Sequence, residues 1–535
     1  MCGIIAIFKS NVPIKQKILK ASQSLRHRGP DASGIQHGEQ NGTFWAIAHE
    51  RLAIMDPRSG AQPFSTDKTI LAVNGEIYNY LSIITDNEKT CSDCEVILTN
   101  YENGIQDERL IQMLDGVFAF VLMDKETGNI IVARDAVGVM PLYYGYGYDG
   151  SIAFASEMKA LKGLVGSVRI FPPGHMFTKG QLIPIPNVHI TPTNYMIQSL
   201  DDSDHLTNIK DKLQSAVVKR TMSHVPWGLL LSGGLDSSIV SAIAALNIKK
   251  LNTFCIGLEG SQDCKAAELM AKAIESNHTT FTFTKEEGWD AIRDVIYHLE
   301  TYDVTTIRAG TPMYLLARKI RAMGIKMVLS GEGSDEIFGG YLYFHNCPDA
   351  KAFQKETYDK LKALHQYDCL RANKAMAAFG VETRVPFLDK DFVKYVMRKV
   401  PAEKRMVQNS LEKYILREAF KDFNIPDEIL WRQKEQFSDG VGYSWIDFLK
   451  SNTEKYRKLL PMSSDFFPIH TPKTPEAFYY RMIFEELFPV PGAALTVPYE
   501  DSCACSTGNA ALWSGNEIKD ASGRSVKVHT SVKGI

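Results

Sequence analysis

Trp227-Gly228-Leu229-Leu230-Leu231-Ser232-Gly233-Gly234-Leu235-Asp236-Ser237-Ser238 decides how the larger part of this chain is read. An apolar run ends in a Ser-Gly-Gly turn and passes at once into Ser237–Leu246, which is patterned as a helix. Two glycines let backbone approach a phosphate closely, hydroxyls and N–H groups donate to it, and a helix N-terminus favours the anion. Ser232, Gly233, Gly234, Asp236 and Ser237 are therefore candidate nucleotide contacts. The stretch lacks the Gly-Lys-Ser/Thr ending of a Walker A loop, which excludes the standard kinase or GTPase site.

Outward from this loop, helix and strand alternate. Leu206, Ile209, Leu213 and Val217 share a helical face ahead of it. Strand Thr253–Leu258, helix Cys264–Glu275, strand Thr280–Thr284, helices Gly288–Leu299 and Thr311–Met323, and strand Lys326–Leu329 follow. That rhythm predicts an α/β domain with a parallel sheet, and the patterning beyond residue 345 is mainly helical. A second Gly-rich cluster, Ser330-Gly331-Glu332-Gly333-Ser334-Asp335-Glu336, falls at the carboxyl end of Lys326–Leu329, where such sheets bind ligands. Asp236 and Asp335 can jointly offer hard oxygen ligands to Mg²⁺. Glu336 reads as a solvated acid at a helix start. Arg308 and Lys434 are the cations that a transferring phosphoryl group calls for.

Residues 2–185 read differently, as short apolar runs broken by Gly, Asn and Asp: Phe44–Ile54, Ile70–Val73, Val117–Met123, Ile130–Ala133 and Ile152–Ala155. Helices are expected at Ile14–Leu25 and Cys94–Asn103, giving an α+β layered domain. A Pro-rich and acidic stretch, 186–204, reads as a linker, 205–490 as the second domain, and the Ser/Gly/Ala-rich 491–535 as a flexible tail.

The chain starts Met1-Cys2-Gly3-Ile4-Ile5. Removal of the initiator Met exposes a thiol and an α-amine on one residue, and an amine with a pKa of about 8 can take the thiol proton. Arg51 can pair with a carboxylate. The Asn74 amide and Gly75 N–H suit an oxyanion hole, and Glu76 and Asp93 offer charge to an ammonium. Arg26–Asp31 reads as a loop able to close over a small ligand.

The 535 residues exceed one core. With 60 basic against 62 acidic residues there is no bias toward nucleic acid or anionic membrane, and no apolar run approaches a membrane span. Nine cysteines, an odd number thinly spread, suit reduced thiols in a cytoplasmic setting. The close pairs Cys91/Cys94 and Cys503/Cys505 lack further ligands and read as incidental.

Taken together, Cys2, Arg51, Asn74-Gly75-Glu76 and Asp93 resemble a class II, N-terminal-nucleophile glutamine amidotransferase domain. Ser232–Ser238 resembles the pyrophosphate loop of N-type ATP pyrophosphatases. The whole, through Val385-Pro386-Phe387-Leu388-Asp389 and on to about residue 490, resembles glutamine-hydrolysing asparagine synthetases, closest to the bacterial B-type. The resemblance implies that Cys2 attacks glutamine, with Arg51 on its α-carboxylate and Glu76 and Asp93 on its α-amine. It implies that Leu231 and Ile256 flank adenine, that Ser330 and Gly331 contact the nucleotide, and that Lys434 stabilises pyrophosphate. Arg308 and Glu332 then serve aspartate, Glu332 assisting the chemistry of a β-aspartyl-AMP that ammonia from a tunnel converts to asparagine. Glutamine, aspartate and ATP with Mg²⁺ are the expected partners, nucleic acid and membrane are not, and a homodimer is one assembly the sequence allows. Other class II amidotransferases lack the Ser232–Ser238 loop, and β-lactam synthetases have lost the glutaminase residues that this chain keeps.

Overall fold

Strand Thr69–Ile77 shows how the first domain is layered. Ile70 and Ala72 face one core and Leu71 and Val73 the other, the period of two that a strand imposes. On the first side lies a six-stranded sheet, in order Ser167–Ile170, Tyr143–Tyr146, Ile152–Ala155, Gly3–Ser10, Thr43–Arg51, Ala32–Gln40. Thr69–Ile77 belongs to a second six-stranded sheet, in order Gln181–Pro184, His175–Thr178, Ile130–Arg134, Gly116–Asp124, Thr69–Ile77, Phe64–Ser65. All its strand pairs, like those of the first sheet, are antiparallel. Helix Glu95–Glu102 covers the far side through Val96, Ile97, Leu98 and Tyr101. His49 ties the sheets together, its Nε2 3.0 Å from Val73 O.

The computed structural model describes residues 1–86, 88–105, 107–186, 188, 202–499 and 506–513. Most of the expected linker (187 and 189–201) and much of the expected tail (500–505 and 514–535) lie outside the described residues.

The second domain holds a five-stranded parallel sheet in order Asn277–Thr282, Asn252–Gly257, Trp227–Leu230, Met327–Leu329, Glu382–Arg384. In chain order that is 3-2-1-4-5, so the direction of winding reverses between Trp227–Leu230 and Met327–Leu329. The carboxyl ends at such a reversal leave a crevice for ligand, and both Gly-rich loops emerge there.

Helix Val304–Ala322 begins seven residues before the expected Thr311 because Asp303 caps it, accepting from Thr306 N at 2.7 Å. It tolerates Pro312 inside. A proline leaves the carbonyl four residues back without its helical donor, and Trp445 Nε1 supplies one to Arg308 O at 3.0 Å.

The flexible-tail expectation fails for 491–499 and 506–513, which pack. Val168 N donates to Pro491 O at 2.9 Å, Thr507 N donates to Glu356 Oε1 at 3.0 Å, and Ala510 is buried on Tyr341, Phe344 and Phe353. A few apolar side chains anchor this segment despite its polar composition. No helix among the described residues is long and apolar enough to cross a membrane.

Candidate active sites

The first site forms where the ends of Gly3–Ser10, Thr43–Arg51 and Thr69–Ile77 meet the second domain. Cys2 Sγ accepts from Leu52 N at 3.4 Å, and Cys2 O accepts from Arg28 Nε at 2.8 Å. Burial pushes the Cys2 thiol up, and the chain-terminal ammonium pulls it back down. With Met1 in place, that ammonium lies 3.1 Å from Glu382 Oε2 of the second domain. Arg51 is oriented by Met55 O at 3.1 Å and Asp56 O at 2.6 Å.

Asn74 is buried, and neither atom of its side-chain amide has a hydrogen-bond partner. A buried amide without a partner is costly unless something fills the gap, and its Nδ2 is the donor an oxyanion needs. Gly75 has φ of +153°, and a Cβ there would lie 2.1 Å from Val117 O, so only glycine fits. Glu76 Oε2 is also unpartnered and buried. Burial drives Glu76 well above the usual carboxylate range, and Arg384 opposes this. Asp93, which accepts from Ile77 N at 2.7 Å, is pushed up to about 6, mainly by burial. Two buried carboxylates that resist ionising together suit a cationic ligand.

Cys94, set aside as incidental in the sequence, belongs to this site: its Sγ is 3.5 Å from both Gly75 O and Asp93 Oδ2. The Arg26–Asp31 segment is no free lid. Arg28 is fully buried between Glu157 and Asn373, and Lys326 pins Asp31 at 2.8 Å.

The second site lies in the crevice of the parallel sheet, its cavity lined by Leu231, Ile256, Ser330, Glu332 and Lys434. Gly331 brings the two loops together, since a Cβ on it would fall 2.8 Å from Ser237 N and 2.9 Å from Asp236 Cβ. Helix Leu235–Ala245 has no side-chain cap at Gly234, which leaves its first N–H groups for a ligand. Ser232 N instead donates to Ser237 Oγ at 3.3 Å, and the two hydroxyls lie 3.2 Å apart.

Lys413, missed in the sequence, draws the two expected metal carboxylates onto one ammonium, with Asp236 Oδ2 at 2.6 Å and Asp335 Oδ1 at 2.5 Å. Lys434 lies 2.6 Å from Asp335 Oδ2. Burial favours neutral Asp335, but the two ammonium groups outweigh it and hold the carboxyl far below its usual range. Asp236 Oδ1 is buried with no hydrogen-bond partner. No group of three or more potential ligands gathers among the described residues. Two carboxylates, one of them with an orphaned oxygen, fit Mg²⁺, which uses one or two carboxylates together with phosphate oxygens.

Arg371, also missed, donates from Nη2 to both Glu332 oxygens at 2.9 Å and pairs through Nη1 with Asp368. Burial pushes the Glu332 carboxyl up and Arg371 pulls it down. Arg308 does not reach this cavity: its guanidinium is buried against Glu476, with Nε 2.8 Å from Oε1. Glu336 is not solvated either. It is buried, accepts from Tyr341, and is raised to about 8 by burial first and by Asp368 next. Lys413 and Arg371 carry no motif; an isolated Lys or a mid-helix Arg gives a sequence reader nothing to hold.

The glutamine amidotransferase domain family matches residues 1–173, and the asparagine synthase family matches 208–355 and 347–497. Asparagine synthetase [glutamine-hydrolyzing] 3 of Arabidopsis thaliana is 49% identical over 100% of this chain and 96% of its own length. The asparagine synthetase [glutamine-hydrolyzing] of Zea mays is 48% identical over 99% of this chain and 94% of its own. Among solved structures, the allosteric regulatory enzyme of purine biosynthesis matches 52% of this chain and 80% of its own at 15% identity, with a TM-score of 0.31. With both domains matched and the likeness running end to end, the chain belongs to the glutamine-hydrolysing asparagine synthetase family.

Proposed function

We propose that this chain makes asparagine from aspartate, ATP and the amide nitrogen of glutamine, by way of β-aspartyl-AMP, with release of AMP, pyrophosphate and glutamate. The observation that carries the reading is the pairing of two sites in one chain. Cys2 and a buried, unpartnered Asn74 amide lie in one domain, and a cavity lined by two Gly-rich loops at a sheet reversal lies in the other.

In the first site the Cys2 thiolate adds to the glutamine side-chain amide. Asn74 Nδ2 and Gly75 N–H donate to the oxyanion that forms. Arg51 meets the α-carboxylate, Glu76 and Asp93 meet the α-ammonium, and ammonia leaves a thioester that water cleaves to glutamate.

In the second site Leu231 and Ile256 flank adenine, Ser330 and Gly331 contact the nucleotide, and Ser232–Ser238 holds the phosphates. Asp236 and Asp335 would hold Mg²⁺, which supplies charge neutralisation on the pyrophosphate. Lys434 holds the leaving pyrophosphate. Arg308, the cation expected for aspartate, is held by Glu476, whereas Arg371, held by Glu332 and Asp368, is one of the cations that line the cavity and can meet an aspartate carboxylate there. Glu332 accepts a proton as ammonia attacks the adenylate. Helix Asp368–Ala377 spans both sites: Arg371 faces the nucleotide cavity, and Asn373 bonds Arg28, which holds Cys2 O. The reading includes a cytoplasmic setting, no nucleic-acid or membrane partner, and a homodimer as one allowed assembly.

The test supplies glutamine, aspartate and Mg-ATP and identifies products. Asparagine, glutamate, AMP and pyrophosphate in equal amounts support the reading; ADP and phosphate would mean an acyl phosphate and overturn it.

A further inference from the structure

Two thiols that the reaction does not use meet beside the nucleotide cavity. Cys255, in strand Asn252–Gly257, and Cys264, in the first turn of helix Gln262–Ala273, place their Sγ atoms 3.5 Å apart. Both residues are buried, and Cys255 lines the cavity itself, which gives a small oxidant a way in. We propose that Cys255 and Cys264 form a reversible disulfide that lowers the affinity of this cavity for ATP. This rests on the reading of the cavity as the nucleotide site.

The chemistry needs a two-electron oxidant, and hydrogen peroxide is the one proposed. One thiolate attacks peroxide oxygen, the S–O bond forms as O–O breaks, and hydroxide leaves as water. The second sulfur then attacks the sulfenic sulfur, the S–S bond forms, and a second water leaves. Two thiols lose two electrons and two protons, and peroxide becomes two waters. Cys264 is suited to attack first. The hydrogen bond from Cys255 draws its thiol below the ordinary range, and the same bond, with burial, raises Cys255.

Closing the sulfurs from 3.5 Å to the bond length of about 2.05 Å must move something. The strand is fixed by parallel neighbours on both sides, so the first turn of the helix is the part that yields. The phosphate loop leans on that helix: a Cβ on Gly233 would lie 2.4 Å from Ala266 Cβ. Asp263, next to Cys264, holds Arg432 at 3.0 Å, and Arg432 reaches Gly233 O at 3.4 Å. A shift in this turn therefore displaces the loop and a cation beside it.

The test treats the full chain with peroxide and follows ammonia-driven asparagine synthesis, which does not depend on Cys2. The expected result is a Cys255–Cys264 cross-linked peptide two hydrogens lighter. The apparent ATP affinity should fall about tenfold, Mg-ATP should protect, and dithiothreitol should restore activity. Cys264→Ser and Cys264→Ala should keep reduced-state activity and resist peroxide. Inactivation of both variants as fast as the parent, or a cross-link that leaves ATP affinity unchanged, overturns the proposal. Lack of synthesis in the untreated, reduced protein would count instead against the functional reading.

Discussion

Arg384 Nη2 of the second domain lies 3.0 Å from Glu76 Oε1 of the first. Both side chains are buried, and Arg384 Nε holds Glu382 at 2.7 Å. The backbone of the same arginine reaches the other site, its carbonyl accepting from Ser330 N at 2.9 Å. Arg384, from the second domain, thus opposes the burial that pushes the Glu76 carboxyl up, and the pocket proposed for glutamine includes a side chain of that domain.

Removing one partner of a buried ion pair strands the other charge at a cost of about 3–5 kcal/mol, which Glu76 would escape by taking a proton. Arg384→Met is therefore expected to raise the KM for glutamine by about tenfold or more, with Arg384→Lys recovering part of it. Steady-state glutaminase kinetics read this directly. An unchanged KM in the Met variant would remove Arg384 from the glutamine site.

The pH profile follows from the same carboxylates. Asp93 is raised to about 6 by burial, and burial raises Glu76 as well, with Arg384 opposing it. The charged forms bind an ammonium, and Asp93 is charged above about 6, so glutamine affinity should weaken as pH falls through about 6, by about tenfold per unit on the acid limb. The apparent pKa values will belong to the pair. Ammonia-driven synthesis bypasses this site, and an identical acid limb there would contradict the assignment.

Cys2→Ala should lower glutamine hydrolysis by about 10³-fold or more and leave ammonia-driven synthesis intact. An alanine methyl cannot act as a nucleophile. A form that keeps an extra N-terminal residue should also be poor with glutamine, because Cys2 then carries no free α-amine. Comparable ammonia release from the Ala variant would show that another group attacks.

Glu332→Gln separates a base from a brace. The amide keeps the size and can still bond Arg371, but it cannot take a proton. Asparagine synthesis should fall by about 10²–10⁴, with glutaminase unchanged and cooperative melting retained. Near-parental synthesis would demote Glu332 to a loop tie for Arg371.

Wherever the fold rests on local pattern, the sequence shows it. Period-two strands such as Thr69–Ile77 and the strand–turn–helix at Trp227–Ala245 were legible because their periodicity and turn residues are set within a few positions. Cys2, Asn74-Gly75-Glu76 and both Gly-rich loops stood out as candidates only in combination, since each taken singly suits an ordinary strand start, turn or helix cap.

What needed the tertiary structure is every pairing between distant residues. Arg308 looked like a substrate cation, but Glu476, 168 positions away, neutralises it. Lys413 had no motif, yet it lies between Asp236 and Asp335, and Arg371 had none, yet it holds Glu332. Cys264 is nine positions from Cys255, a spacing with no meaning until strand and helix fold back on each other. An ion pair or a thiol contact depends on distance in space and on exclusion of water. Those are properties of the packed chain, and the order of residues along it does not encode them locally.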